Sequence, residues 1–171
     1  MNTRIDAQYW MRIAVEIAKA ATCRADVGCV LVHKNIIVGH GYVGSVHGDD
    51  HCIEPESDLD PNHVLVKVTH RGSTKTNTTC IRTVHAEVNA ALKCTVRGSE
   101  HAEWIDAYCT YQPCLDCTKV LLQIGVRKMY YLNAYKDEWR DLYMEECQLS
   151  MHPHMTDEKR KHAAAFIKVT L

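Results

Sequence analysis

The stretch "RTVHAEVNAALKC", residues 82–94, decides how the chain is read. Val88, Ala91 and Leu92 have the apolar spacing of a helix. His85 and Glu87 stand two residues apart at its start, where a loop becomes a helix. A helix that only has to cover a core needs neither an imidazole nor a carboxylate there. The pair points to chemistry placed on a packed α/β frame.

Working outward, residues 6–22 read as a helix with Trp10, Ile13, Ala14, Ile17, Ala18 and Ala21 on one face and Thr3 or Asp6 as cap. "VGCVLVH" (27–33) and "IIVGHGYVG" (36–44) read as strands joined by a tight turn at Lys34–Asn35. From about 45 to 82 the pattern dissolves into an irregular Cys/His-containing insertion with one apolar stretch, "HVLVKV". Long loops in compact domains are usually functional or tied down. The helix from His85 to about Val96 follows, then a strand at "EWIDAYCTY" (103–111). Pro113 opens a helix to Ile124 that Gly125 ends. "VRKMYYL" (126–132) is a strand, 137–148 a helix, and the charged tail from Thr156 ends in a short strand. Strands alternating with helices after a first hairpin give one α/β layered domain over 1–171 with a mixed sheet.

Composition sets the limits. The 171 residues suffice for one domain with a real core. A net charge of −1 offers no basic stripe for nucleic acid. The start, "MNTRIDAQYW", lacks the apolar core of a secretion signal, and no apolar run reaches membrane-spanning length. A cytoplasmic protein is expected. Nine cysteines without a secretion signal argue for metal binding over a disulfide scaffold. Cys29 and Cys109 read as strand core, Cys94 and Cys147 as helical packing residues.

The second informative stretch is "TYQPCLDCTKVLL", residues 110–122. Cys114 and Cys117 follow Pro113 at a helix start, on one face. With His85 they make three zinc ligands and leave a fourth tetrahedral position open, as in catalytic rather than structural sites. Zinc with two thiolates and a neutral imidazole has a formal charge near zero and acidifies water less than a three-histidine site would. Helix N-termini favour the thiolate forms, and Glu87 beside the ion supplies a base. A closed zinc site with Glu87 as an ordinary first-turn acid is the blander alternative.

His-x-Glu followed by Pro-Cys-x-x-Cys is the known signature of zinc nucleobase deaminases. The chain resembles the cytidine-deaminase-like zinc enzymes, and within them the dCMP deaminases of bacterial and phage type. "ATCRADVGCVLV", "GHGYVGS", "HC", "CIRTVHAEVNA", "TYQPCLDCTKVLLQIGV" and "YYLNAY" each look like a family segment, in family order, across most of 6–135.

The resemblance implies a three-layer α/β/α fold with a five-stranded mixed sheet, and hydrolysis of dCMP to dUMP. It implies zinc on His85, Cys114 and Cys117. Glu87 would carry protons between the attacking water, N3 of cytosine and the leaving ammonia. Arg24, Tyr42, Val43, Ser45, Asn89, Thr110, Tyr111, Gln112 and Tyr135 fall at positions that hold the nucleotide in similar enzymes. Asn89 reads equally well as a buried residue tying helix to loop. A second, structural zinc is implied on Cys23, Cys52 and Cys80, with His51 or His70 as fourth ligand. The family also implies a homohexamer with dCTP and dTTP as effectors, without membrane or nucleic-acid partners.

One departure stands out. The family usually reads Gly-Tyr-Asn-Gly-Ser/Ala-Pro where this chain has Gly41-Tyr42-Val43-Gly44-Ser45-Val46. Val43 offers no side-chain hydrogen bond. A modified dCMP or the triphosphate dCTP therefore stays open beside dCMP. So does a non-catalytic, zinc-stabilised nucleotide-binding relative, though such a protein has no use for Glu87.

Overall fold

The computed structural model describes residues 6–23, 25–48, 65–69, 76–80, 82–96, 104–150 and 164–171, with 65–69, 76–80 and 146–150 described by backbone alone. In chain order the elements are α1 (Ala7–Ala18), β1 (Gly28–His33), β2 (Ile36–Tyr42), β3 (Gly44–Ser45), β4 (Leu65–Thr69), β5 (Thr76–Cys80), β6 (Thr83–Val84), α2 (Ala86–Leu92), β7 (Ile105–Tyr111), α3 (Leu115–Gln123), β8 (Val126–Asn133), α4 (Glu138–Ser150) and β9 (Ala165–Lys168). The central sheet runs β2-β1-β7-β8-β9. β1 is antiparallel to β2 and β7, while β7, β8 and β9 are parallel. This is the expected five-stranded mixed sheet.

Alternation along β1 builds the three layers. Cys29 and Leu31 face one side, into a core with Ala86, Ala90 and Ala91 of α2, Leu121 of α3 and Met129 of β8. Val30 and Val32 face the other, with Trp10, Met11 and Ala14 of α1 and Tyr108 of β7. Tyr108 stacks on Tyr130 at 4.6 Å between ring centroids. The β1–β2 turn takes positive φ at Lys34 (51°) and Asn35 (61°), as a two-residue hairpin loop requires.

The structure trims the expected helices. Asp6, not Thr3, caps α1, accepting from the Tyr9 N–H at 3.0 Å. α1 ends at Ala18, and Ala20 and Ala21 continue only as single turns onto Ile17 and Ala18. α2 stops at Leu92 because the chain turns back to the sheet: the Thr95 N–H donates to Val38 O at 2.8 Å. Cys94 therefore lies just beyond the helix, its thiol donating to Val96 O. The insertion is not wholly irregular. β4 pairs with β5 and β3 with β6, both antiparallel. Threonines fill much of β5 and leave no apolar alternation to signal it.

Candidate active site

Two helix starts meet at one point. α2 lies directly on β2, where Gly41 comes so close that a Cβ would sit 2.4 Å from Ala86 O. That contact fixes where α2 begins. His85 is its N-cap residue (φ −69°, ψ 150°), and its ring makes no cap hydrogen bond. α3 begins beyond the end of β7. Cys114 is its N-cap residue (φ −70°, ψ 173°), again with no side-chain cap bond. Both residues stand where a side chain ordinarily satisfies its own helix. Both instead point at each other.

His85 Nδ1 lies 3.2 Å from Cys117 Sγ and 3.6 Å from Cys114 Sγ. The three donor atoms lie within 4.8 Å of one another. Tetrahedral zinc, with bonds of about 2.0 Å to nitrogen and about 2.3 Å to sulfur, sets such pairs roughly 3.5–3.8 Å apart. The two nitrogen–sulfur separations fall within a few tenths of an ångström of what the ion requires, and the donor set fits it. Cys117 is buried, Cys114 half-buried and His85 exposed, so the trio opens to solvent on the histidine side. Glu87, 4% exposed, stands on the first turn of α2 beside them.

The site's electrostatics follow from this crowding. The hydrogen bond from Cys117 pushes the Cys114 thiol down to about 4, with the bond from His85 assisting against burial. Cys117 moves the other way, because it donates to Cys114 and is buried. The hydrogen bond with Cys114 raises His85 above its ordinary value, against the desolvation of its ring by the neighbouring side chains. Burial raises Glu87 from its ordinary value. A bound zinc needs both thiolates and a neutral imidazole. Zinc added near neutral pH is therefore expected to displace between about one and two protons, from Cys117 and His85, and to bind more weakly as pH falls. Calorimetry in two buffers of different protonation enthalpy measures this. Binding without proton release would contradict the ionisation pattern.

The remaining sequence candidates divide. Asn89 ties helix to sheet, its Nδ2 donating to Tyr42 O at 2.9 Å. The Thr110 hydroxyl accepts from the Gly28 N–H at 3.1 Å, and its carbonyl accepts from Asn133 Nδ2. The Gln112 N–H donates to Asn133 O. Much of the polar capacity at 110–112 is thus engaged within the fold. Val43 is buried at 5% exposure, its backbone bonded to Val27 O and the Thr22 N–H. Tyr111 and Tyr135 are exposed, and Tyr42 and Ser45 half-buried. The Tyr135 phenol is raised, by partial burial first and then by Cys114. Arg24, His51, Cys52 and His70 lie outside the described residues, as does the side chain of Cys80. Cys23 Sγ lies 3.1 Å from Thr83 Oγ1.

Sequence reading missed Asn133, Asp137 and Arg140, which brace the Cys114 segment from β8 and α4. Asp137 Oδ2 accepts from the Leu115 N–H at 2.8 Å. Arg140, 2% exposed, donates through Nη1 to Pro113 O and Tyr135 O at 3.0 and 2.8 Å. Asp137 was legible as a helix cap. Its second contact, across to α3, was not.

The chain matches the family model described as the cytidine and deoxycytidylate deaminase zinc-binding region over residues 4–133. It is 32% identical over 130 residues to ComE operon protein 2 of Bacillus subtilis, covering 75% of this chain and 60% of that protein's length. It is 26% identical over 159 residues to the deoxycytidylate deaminase of Enterobacteria phage T4, covering 77% of this chain and 81% of the other. Its fold is similar to the crystal structure of dCMP deaminase from the cyanophage S-TIM5 in complex with dCMP and dUMP, with a TM-score of 0.59 and 26% identity over 99% of both chains. The family match spans α1 through β8, the frame that brings His85 to Cys114 and Cys117, and on that ground the chain belongs to the cytidine and deoxycytidylate deaminase family.

Proposed function

We propose that this chain catalyses the zinc-dependent hydrolytic deamination of dCMP to dUMP and ammonia. The observation that carries the reading is the convergence of His85, Cys114 and Cys117 within 4.8 Å, beside the buried carboxyl of Glu87. Those three would hold the metal. Zinc, when bound, supplies a Lewis acid that lowers the pKa of water toward neutrality. Glu87 takes a proton from the attacking water and delivers it to N3 of cytosine. Once the water oxygen is bonded to C4, the same carboxyl carries its remaining proton to the amino group, the C4–N bond breaks, and ammonia leaves with the uracil carbonyl remaining. Burial raises its pKa from the ordinary carboxylate value, which makes it a stronger base toward water than a solvated carboxylate.

The T4 and S-TIM5 similarities support the deoxynucleoside monophosphate as substrate. Val43 favours one second reading: a buried apolar side chain there leaves sugar or phosphate recognition to other groups, which admits dCTP or a modified dCMP. Ammonia release from dCMP, dCTP, deoxycytidine and CMP separates the two. Turnover of dCMP well above the other three is the expected result. Preference for the triphosphate would move the assignment, and no turnover by zinc-loaded protein would leave the non-catalytic reading.

Further features belong to the same proposal. A second zinc would take Cys23, Cys52, Cys80 and His51 or His70. The contact of Cys23 with Thr83, three residues beyond Cys80, supports this, and the ion would order a polar insertion by coordination. Ile36 and Ile37 on β2 and Leu92 at the end of α2 are exposed and supply apolar surface for a homohexamer. dCTP and dTTP as effectors, one domain over 1–171, and a cytoplasmic location complete the reading. Among the described residues no helix is long and apolar enough to cross a membrane.

A further inference from the structure

Cys114 occupies the N-cap position of α3, yet its side chain makes no cap bond. The first N–H of that helix, on Leu115, is instead satisfied by Asp137 Oδ2 at 2.8 Å. The other oxygen of the same carboxylate, Oδ1, accepts from the Arg140 N–H at 3.0 Å, as a cap of α4 does. One carboxylate thus caps two helices. Arg140, fixed by that cap, reaches back to Pro113 O and Tyr135 O. It lies buried, with Nε and Nη2 both on Asp141 Oδ1 at 3.0 and 2.7 Å. Pro113 and Leu115 flank Cys114 on either side, so this network holds the backbone on both sides of the ligand.

We infer that Asp137 is a positioning residue that ties the first N–H of α3 to the start of α4 and so fixes the backbone of Cys114, holding its sulfur where it can bind metal. The inference rests on the reading of His85, Cys114 and Cys117 as metal ligands. Without Asp137 the Leu115 N–H loses its acceptor and the turn that carries Cys114 loses its tie to α4. Arg140 holds the same turn on its other side through Pro113 O.

The test measures zinc release to a chromogenic chelator from the zinc-loaded protein, below its melting temperature. Asp137→Ala is expected to release zinc about ten- to a hundredfold faster than wild type, as loss of outer-sphere support does. Asp137→Asn keeps an oxygen for one cap and is expected to fall between the two, closer to wild type. Asp6→Ala controls for lost helix capping as such, since it removes the α1 cap away from the metal. It is expected to lower the melting temperature and leave zinc release unchanged. Hydrogen exchange at Leu115 in the metal-free protein should quicken in Asp137→Ala alone. Wild-type zinc release in Asp137→Ala would overturn the inference, as would equal acceleration by Asp6→Ala. Wild-type protein that retains no zinc would instead overturn the ligand reading beneath it.

Discussion

Glu87→Gln is expected to lower dCMP turnover by about a hundred- to ten-thousandfold, the usual contribution of a positioned acid–base group, and to leave zinc bound. The amide has the same shape and fills the same buried place, so packing around α2 is preserved. It can neither accept the proton of water nor hand one to N3. The signature is a fall in kcat with zinc content unchanged. The same variant has a stability consequence. Burial raises the folded-state pKa of Glu87. Its contribution is therefore fully present below the unfolded carboxylate pKa and is lost as pH rises through the folded value. Gln stays neutral and avoids that loss. In metal-free protein, Glu87→Gln is expected to melt higher than wild type near neutral pH, with the difference vanishing in acid. A catalytic group that destabilises its own fold is a familiar trade. An active variant would remove Glu87 from the mechanism.

Gly41→Ala is expected to give the largest structural effect. Its added Cβ would lie 2.4 Å from Ala86 O, 2.5 Å from Ala90 N and 2.8 Å from the Asn89 carbonyl carbon. All three are backbone atoms of α2, which no side-chain rotation can clear. The helix has to move off β2, and His85 and Glu87 move with it. The cost is expected at or above the roughly 1–3 kcal/mol typical of overpacking. Zinc retention should fall in parallel, because His85 leaves the two sulfurs. Denaturant unfolding and metal content together check this. A variant with wild-type stability and full zinc would mean that α2 is not seated on Gly41.

The comparison of these two positions shows what the sequence could carry. Glu87 was legible because its neighbours in sequence, His85 before it and a helical pattern after it, define its place. The sheet was legible too, since β1 and β2 flank a short turn and β7 and β8 flank a helix; that helix begins at Leu115 with Cys114 as its cap, two residues later than Pro113 suggests. Gly41 was not legible as a contact, because nothing in "GHGYVG" says which backbone crosses it. Asp137 and Arg140 escaped for the same reason: their partners, Leu115 and Pro113, lie more than twenty residues away and are joined to them only by the parallel pairing of β7 with β8. The β4–β5 hairpin escaped for a different one, since threonines show no alternation. Local chemistry is written in the chain, whereas contacts made by backbone depend on packing that spacing does not reveal.

The most direct test of the account follows dUMP formation from dCMP before zinc removal by chelation, after it, and after zinc is restored. The account predicts that activity disappears with the metal and returns with it in wild type, and returns in neither Cys114→Ser nor Glu87→Gln. Undiminished product formation by the zinc-free protein, or none by the zinc-loaded wild type, would contradict it.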